Sequence, residues 1–191
     1  MRKYEFTGEI KTVNEIRLKR IRRLSDGLLG GWIESEKNLS HDDSCFVYDS
    51  SHVYENARIC GNAQICGNAK IYGNAQIYGN SQVSENARVY GGAWVYGNAQ
   101  VNGNAQVNGN ARVSENARIF GNAKITKCLY IQQERHPITV TDDYVFIGCL
   151  GYTWEYWFEN IDKIGNCYNY SKEEVSQVIR LLTVLREQVS A

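Results

Sequence analysis

Residues 57–80 read ARICGNAQICGNAKIYGNAQIYGN, and this stretch repeats every six residues. An Ile or Val recurs at every sixth position from Val47 to Ile125, and a small residue, usually Ala, stands two positions before it. A fixed short period of this kind indicates a repeat architecture in which each unit packs on its neighbours. Six residues are too few for a helical repeat, and they fit a three-residue strand followed by a tight turn.

The unit (Ile/Val)-x-Gly-Asn-Ala-x predicts a coil with a closed interior. Side chains alternate along a strand, so Ala57 and Ile59 share one face whereas Arg58 and Cys60 share the other. Every corner must bend the same way, so the chain coils and does not form hairpins. Three hexapeptides per coil then give a triangular prism with an interior of Ala, Ile and Val.

The corners of the coil carry Gly followed by Asn, and both positions have informative exceptions. Gly92 stands where other units have Asn, and Gly and Asn both tolerate a left-handed backbone, which predicts a positive φ at the Asn position. Glu55, Glu85 and Glu115 stand where other units have Gly, which predicts an ordinary φ there. These three Glu fall on three different corners, so they indicate an old duplication of residues 55–84 and not a row of ligands.

The pattern resembles the hexapeptide-repeat left-handed β-helix superfamily, whose members carry an aliphatic residue every six positions. The resemblance covers residues 46–127, and it implies that the coil is left-handed. The Tyr-Gly-Asn-Ala units, together with Leu29-Gly-Gly-Trp-Ile33 ahead of them, also resemble the short hexapeptide-repeat proteins of bacteriophage and prophage genomes.

The sequence predicts a mostly β protein in three parts. Residues 1–44 form an N-terminal β-hairpin cap with its turn at Asn14 and a capping loop. Residues 45–127 form the single-stranded parallel β-helix, a triangular solenoid. Residues 128–191 form an α+β cap with a β-hairpin and two helices, the second of which begins at a capping box of Ser171 and Glu174.

Composition narrows the class of function. The chain has 21 basic and 21 acidic residues, so its net charge does not point to a nucleic acid or a membrane as partner. Neither a signal-peptide core nor a transmembrane run is evident, and the six Cys lack the spacing of a metal site. We therefore expect a soluble cytoplasmic protein with free thiols, no bound metal and no cofactor.

Steps of three hexapeptides assign the outward side chains to three faces, two of which are aromatic. The first face carries a row of Tyr, the second carries Tyr and Trp, and the third is mostly amide and small. Such rows are typical of stacking between coils and also of protein-binding surfaces, and both interpretations stay open. The candidate binding surface consists of Tyr54, Tyr72, Tyr90, Trp94, Tyr78, Tyr96 and Arg88.

The remaining aromatic residues are predicted to lie at the ends of the prism. Trp32 is predicted to plug the N-terminal end, since a solenoid needs a cap over its open interior. Trp154, Trp157 and Phe158 are expected to pack on the other end or to join subunits. Members of the superfamily are commonly oligomers, so the resemblance implies a homodimer or homotrimer.

The first hairpin is the basic part of the chain. Its positive charge fits the solvated outer face of a cap, and a contact with nucleic acid is the less favoured alternative because no binding motif accompanies it. The basic residues concerned are Arg17, Lys19, Arg20, Arg22 and Arg23.

The superfamily resemblance also implies one kind of catalysis, since many members are acyltransferases with a His as general base. His52 is the one His within the repeats, but the unbroken period leaves no room for a projecting loop that would cover a substrate. We therefore predict a non-enzymatic protein–protein interaction module. The phage resemblance implies a host protein as its target, and inhibition of a host defence protein by binding or occlusion as its action. The alternatives are an acyltransferase that uses acetyl-CoA and His52, and a binder of small nucleotides or carbohydrates.

Overall fold

The computed structural model describes residues 2–190, in which a central β-helix lies between two different caps. The N-terminal cap contains β1 Tyr4–Val13, β2 Ile16–Arg23, β3 Leu29–Ile33 and a 3₁₀ helix, Glu36–Asn38. The β-helix contains these two-residue strands: β4 Phe46–Val47, β5 His52–Val53, β6 Arg58–Ile59, β7 Gln64–Ile65, β8 Lys70–Ile71, β9 Gln76–Ile77, β10 Gln82–Val83, β11 Arg88–Val89, β12 Trp94–Val95, β13 Gln100–Val101, β14 Gln106–Val107, β15 Arg112–Val113, β16 Arg118–Ile119 and β17 Lys124–Ile125. The C-terminal cap contains β18 Cys128–Ile131, β19 Ile138–Thr141, β20 Tyr144–Ile147, β21 Leu150–Thr153, α1 Trp154–Cys167 and α2 Lys172–Ser190.

The short strands stack into three parallel sheets that form the sides of the prism. The first face consists of β5, β8, β11, β14 and β17, the second of β6, β9, β12 and β15, and the third of β4, β7, β10, β13 and β16. Each strand residue pairs with its equivalent three hexapeptides further along, as Val89 pairs with Val107. The structure thus confirms the predicted β-solenoid with three hexapeptides per coil.

The repeat Ala, Ile and Val side chains fill the interior, as the alternation predicted. Ala63, Ile65 and Val89 are 0% exposed, and they belong to one core cluster that runs through all the coils. Full burial of an Ile or Val side chain stabilises a folded chain by roughly 1.5–3 kcal/mol. Because every coil contributes such residues, the interior holds the rod together along its whole length.

The corners adopt a left-handed backbone at a different position from the predicted one. The Gly position has the positive φ, for instance +71° at Gly73, and Glu55, Glu85 and Glu115 share it with values of +57°, +59° and +55°. The predictions for the Gly and Asn positions were therefore both wrong. Gly predominates at this position because it adopts a positive φ without strain, and the corners also stack closely, since a Cβ added to Gly73 would lie 2.8 Å from the backbone nitrogen of Gly91.

The corner Asn residues instead form ladders of side-chain hydrogen bonds. The Nδ2 of Asn62 donates to the Oδ1 of Asn80 at 2.9 Å, and Asn80 donates in the same way to Asn98 at 3.1 Å. Equivalent bonds join Asn68 to Asn86, Asn86 to Asn104, Asn104 to Asn122 and Asn56 to Asn74. The Asn position is thus occupied by Asn because its amide can both donate and accept between coils.

The N-terminal cap continues the first face of the β-helix. β1 and β2 form the predicted antiparallel hairpin, with Asn14 and Glu15 in left-handed conformations at its turn. β2 also pairs with β3, and β3 pairs in parallel with β5. The segment 25–44, predicted as a loop, therefore contains a strand and a 3₁₀ helix. The missed strand includes Gly30 and Gly31, which read as turn residues but allow the backbone to approach the first coil closely.

The N-terminal end of the prism is closed by Tyr4 and Phe46, which are 1% and 0% exposed and belong to the solenoid core. The prediction that Trp32 plugs this end was wrong. Alternation along β3 turns Ile33 inward, and the partly exposed Trp32 ring lies outside, its centroid 5.3 Å from the Lys11 ammonium.

The C-terminal cap is an antiparallel sheet, β18 to β21, covered by α1 and α2. The sequence predicted a β-hairpin and two helices for this part of the chain, whereas the hairpin belongs to a four-stranded sheet and α1 extends to Cys167. The capping box of α2 has formed, since Ser171 Oγ accepts from the Glu174 nitrogen at 3.2 Å and the Ser171 nitrogen donates to the Glu174 carboxylate at 2.7 Å. No helix within residues 2–190 is long and apolar enough to cross a membrane.

The two Trp of α1 belong to the interior of this cap and not to the end of the prism. The indole of Trp154 donates to the Thr141 carbonyl at 3.0 Å, and that of Trp157 donates to the Val145 carbonyl at 2.8 Å. Both rings are almost fully buried in the cap's own core. Phe146 of the cap belongs to the solenoid core, and Cys128, Tyr130 and Tyr144 pack against that core.

Candidate functional site

The first face carries the predicted row of Tyr as a stack of parallel rings. The centroids of Tyr54 and Tyr72 are 5.1 Å apart, those of Tyr72 and Tyr90 are 4.9 Å apart, and the ring planes agree within 2°. The hydroxyl of Tyr90 accepts from the amide of Asn108 at 2.8 Å. Aromatic pairs of this kind add about 0.5–1.5 kcal/mol beyond the area that they bury. The interpretation as stacking between coils is therefore supported on this face.

The N-terminal hairpin shields the start of the Tyr row. Tyr54 is 5% exposed, so it is not the exposed binding residue that the sequence predicted. Burial raises the pKa of Tyr54 to about 12. Asn14 and Ile16, at the tip of the hairpin, line a pocket together with Tyr54 and Tyr72. Sequence reasoning missed this cover because no short-range pattern reveals where a hairpin folds back.

His52 lies under the same hairpin and is 6% exposed. Its Nε2 lies 3.0 Å from the Lys11 ammonium, and its Nδ1 is buried without a hydrogen-bond partner among the described residues. Burial, followed by the charges of Lys11 and Lys70, lowers the His52 pKa to about 4. Neither ring nitrogen is open to a substrate, so this position does not suit a general base for acyl transfer.

The second face carries an aromatic cluster of Tyr78, Trp94, Tyr96 and Arg112, which we call the second-face cluster. The rings of Tyr78 and Tyr96 stack at 5.0 Å, and Trp94 meets Tyr78 edge-on at 6.2 Å. The Arg112 guanidinium lies 5.0 Å from the Trp94 ring centroid. All three rings are partly exposed. Arg112 is not among the predicted binding residues, and its position one coil after Trp94 is the signal that could have identified it.

The basic hairpin holds much of its positive charge in ion pairs. These pairs join Arg20 to Glu9 at 3.1 Å, Arg22 to Glu5 at 2.5 Å and Arg23 to Asp26 at 2.5 Å. Lys19 lies over the Phe6 ring, 5.0 Å from its centroid, and Arg17 is exposed. Less free charge is therefore available for a phosphate backbone than the composition of the hairpin indicates.

The thiols and acids do not assemble into a reactive centre. All six Cys are free, and burial raises the pKa of Cys45, Cys60 and Cys66. Thiols with raised pKa values are weak nucleophiles at neutral pH. Within residues 2–190, no group of three or more His, Cys, Asp or Glu side chains is arranged to hold a metal ion.

Two neighbouring stretches of the coils, residues 63–79 and 81–97, match a family model described as YdcK Beta solenoid repeat. Both stretches lie within the three stacked sheets. The middle of the chain is a hexapeptide-repeat β-helix. The match covers only these coils of the hexapeptide-repeat β-helix, and it leaves both caps unmatched. Among curated proteins, none matches the chain.

Proposed function

We propose that this β-helix is a non-enzymatic protein-interaction module that binds a protein partner through its second-face cluster. The observation that carries the proposal is the arrangement of Tyr78, Trp94, Tyr96 and Arg112, whose ring contacts all lie on one face. Trp, Tyr and Arg are the residue types enriched at binding hot spots. Stacking fixes their rotamers before a partner arrives, which reduces the entropy lost on binding.

The resemblance to phage hexapeptide-repeat proteins favours a host protein as the partner, in particular a defence protein whose active surface the rod covers. Six free cysteines fit a reducing compartment, so the proposed site of action is the cytoplasm. We further propose that the protein acts as a homodimer or homotrimer, which light scattering on the purified chain would measure directly.

The test is capture of a partner from bacterial lysate by the wild type and by Trp94→Ala. We expect one specific protein with the wild type and loss of it with Trp94→Ala, since truncation of a hot-spot Trp costs about 2 kcal/mol or more. Gln82→Ala is the matched control, because Gln82 occupies the same strand position on the third face. Thermal melting of each variant separates lost binding from lost folding. Equal capture of the partner by the wild type, Trp94→Ala and Gln82→Ala would contradict the proposal.

A further inference from the structure

A polar pocket of about 210 Å³ lies between the tip of the N-terminal hairpin and the first face. The hairpin closes one side of it, and the coils form its floor. The lining residues are Asn14, Ile16, Tyr54, Glu55, Lys70, Tyr72 and Arg88. Nothing in the proposed protein-binding cluster touches this pocket, since that cluster lies on the second face.

Two cations stand side by side on the floor of the pocket. Arg88 pairs directly with Lys70 in the register of β11 and β8. Like charges on directly opposite residues of neighbouring strands are destabilising. Within residues 2–190, neither side chain takes part in an ion pair, whereas the arginines of the nearby hairpin do. Neither cation therefore has a carboxylate of the described residues in direct contact that would relieve the repulsion.

A third cation and an unpartnered imidazole lie next to this pair, outside the lining of the pocket. His52 is the register partner of Lys70 on the other side from Arg88, and the Lys11 ammonium lies 3.0 Å from its Nε2. The Nδ1 of this 6%-exposed ring has no partner among the described residues. With Lys11 donating to Nε2, Nδ1 carries the proton, but this buried nitrogen does not line the pocket. Burial is the main cause of the lowered pKa of His52, and the charges of Lys11 and Lys70 lower it further, so positive charge accumulates on this side of the pocket.

Neutral donors complete the lining. The hydroxyls of Tyr54 and Tyr72 and the amide of Asn14 can each donate a hydrogen bond. Glu55 is the acidic residue of the lining, and one of its carboxylate oxygens already accepts from the Gly73 nitrogen at 2.6 Å. The donors therefore outnumber the acceptors that remain free for a ligand.

We propose that this pocket binds the phosphate group of a small phosphorylated molecule. A phosphate oxyanion offers several acceptors to an Arg fork and a Lys point charge, which is the pairing that such groups favour. The volume holds a phosphate with a small organic part, given that a water molecule occupies about 30 Å³. A pocket closed by the hairpin tip suits a small molecule better than the backbone of a polymer.

The test is isothermal titration calorimetry at low ionic strength with inorganic phosphate, glycerol 3-phosphate and AMP. We expect one saturable site in the wild type, and an affinity weakened roughly tenfold or more by Arg88→Gln or Lys70→Gln, because each removes a charge-assisted hydrogen bond. Lys124→Gln is the matched control, since Lys124 lies at the same strand position on the first face, away from the pocket, and it should bind like the wild type.

The Glu55→Gln variant should change the affinity for phosphate in the opposite direction. It removes negative charge from the lining while its amide oxygen can still accept from Gly73, so we expect phosphate to bind more tightly. Partial unfolding cannot produce such a gain. Tighter binding of the phosphomonoesters than of inorganic phosphate would identify a metabolite, and equal binding would identify free phosphate. Absence of binding, binding unchanged by Arg88→Gln, weaker binding by Glu55→Gln, or equal binding of succinate would each overturn the proposal.

Discussion

Single corner residues show how this repeat tolerates exceptions. A non-Gly residue in the left-handed region costs roughly 1–2 kcal/mol. Glu55 offsets that cost by accepting from the nitrogen of Gly73 at 2.6 Å, and Glu85 accepts from Gly103 in the same way at 2.7 Å. The sequence could not predict this compensation, because it joins residues one coil apart and depends on a corner geometry that the local pattern does not encode.

His52 gives the folded state a dependence on pH at the scale of one side chain. Burial, followed by the charges of Lys11 and Lys70, lowers its pKa in the folded chain to about 4, from 6.5 for an exposed imidazole. The unfolded chain therefore binds more protons between these values, so stability falls as pH decreases from about 6.5 to 4. We expect a loss on the order of 2–3 kcal/mol over this range.

Urea denaturation of the wild type and His52→Gln at pH 7, 5.5 and 4.5 measures this effect. The advantage of the wild type over His52→Gln should shrink as the solution is acidified. His136→Gln is the control, because the His136 ring lies in the C-terminal cap. The free energy of unfolding of this variant should still decrease on acidification as His52 predicts. A constant difference between wild type and His52→Gln would show that the imidazole does not titrate in this way.

The Asn ladders join the corners of successive coils, and one of them is interrupted. Gly92 stands between Asn74 and Asn110 at the corner where Asn56 donates to Asn74 at 3.2 Å. Gly92 lacks the positive φ of its neighbour Gly91, so a side chain is compatible with its backbone.

Gly92→Asn should therefore stabilise the β-helix by about 0.5–1.5 kcal/mol, through a restored ladder bond and a less flexible unfolded chain. The added Cβ would come closest to the Asn110 Oδ1, at 2.8 Å, and that flexible side chain can move. Gly91→Ala is the control and should destabilise, since Gly91 has a φ of +69° and an added Cβ would lie 3.1 Å from the Gly109 nitrogen. Thermal melting compares the two, and a lower melting temperature for Gly92→Asn would contradict the ladder argument.

Elements also differ in how far the sequence predicts them. The coils follow from a local six-residue period, so Ile65 or Val89 can be assigned to the interior from spacing alone. The position of the first hairpin depends on contacts such as that between Lys11 and His52, which are far apart in sequence. Local patterns do not encode such a contact, and the pocket was therefore missed although its floor residues were correctly assigned to one face.

The whole molecule is a row of coils held by neighbours and closed by unlike caps. In such an array, each coil is stabilised by the coils next to it, and a terminal coil depends on its cap. Phe146 is the side chain of the C-terminal cap that enters the solenoid core, where its ring lies 4.8 Å from that of Phe120.

Phe146→Ala should destabilise the protein by about 3–5 kcal/mol, as expected for a buried Phe. Hydrogen exchange should rise most in residues 113–125, and the first coils should stay protected because only neighbours are coupled. Phe158→Ala is the control, since Phe158 stacks on Trp154 within the cap. A uniform rise in exchange along all the coils would show that the rod opens as one unit.

The pairing of each strand with its equivalent one coil further along has a consequence for how such a chain can grow. An insertion of three hexapeptides lengthens the rod by one coil and does not change the orientation of one end relative to the other. The similar segments 55–84 and 85–114 are offset by five hexapeptides, so a duplication of this length advanced the far end by one full coil and two further sides of the triangle. Lengthening of this kind rotates one end of the molecule about the rod axis relative to the other. A family could thereby change the relative orientation of the surfaces at its two ends without altering any interior residue.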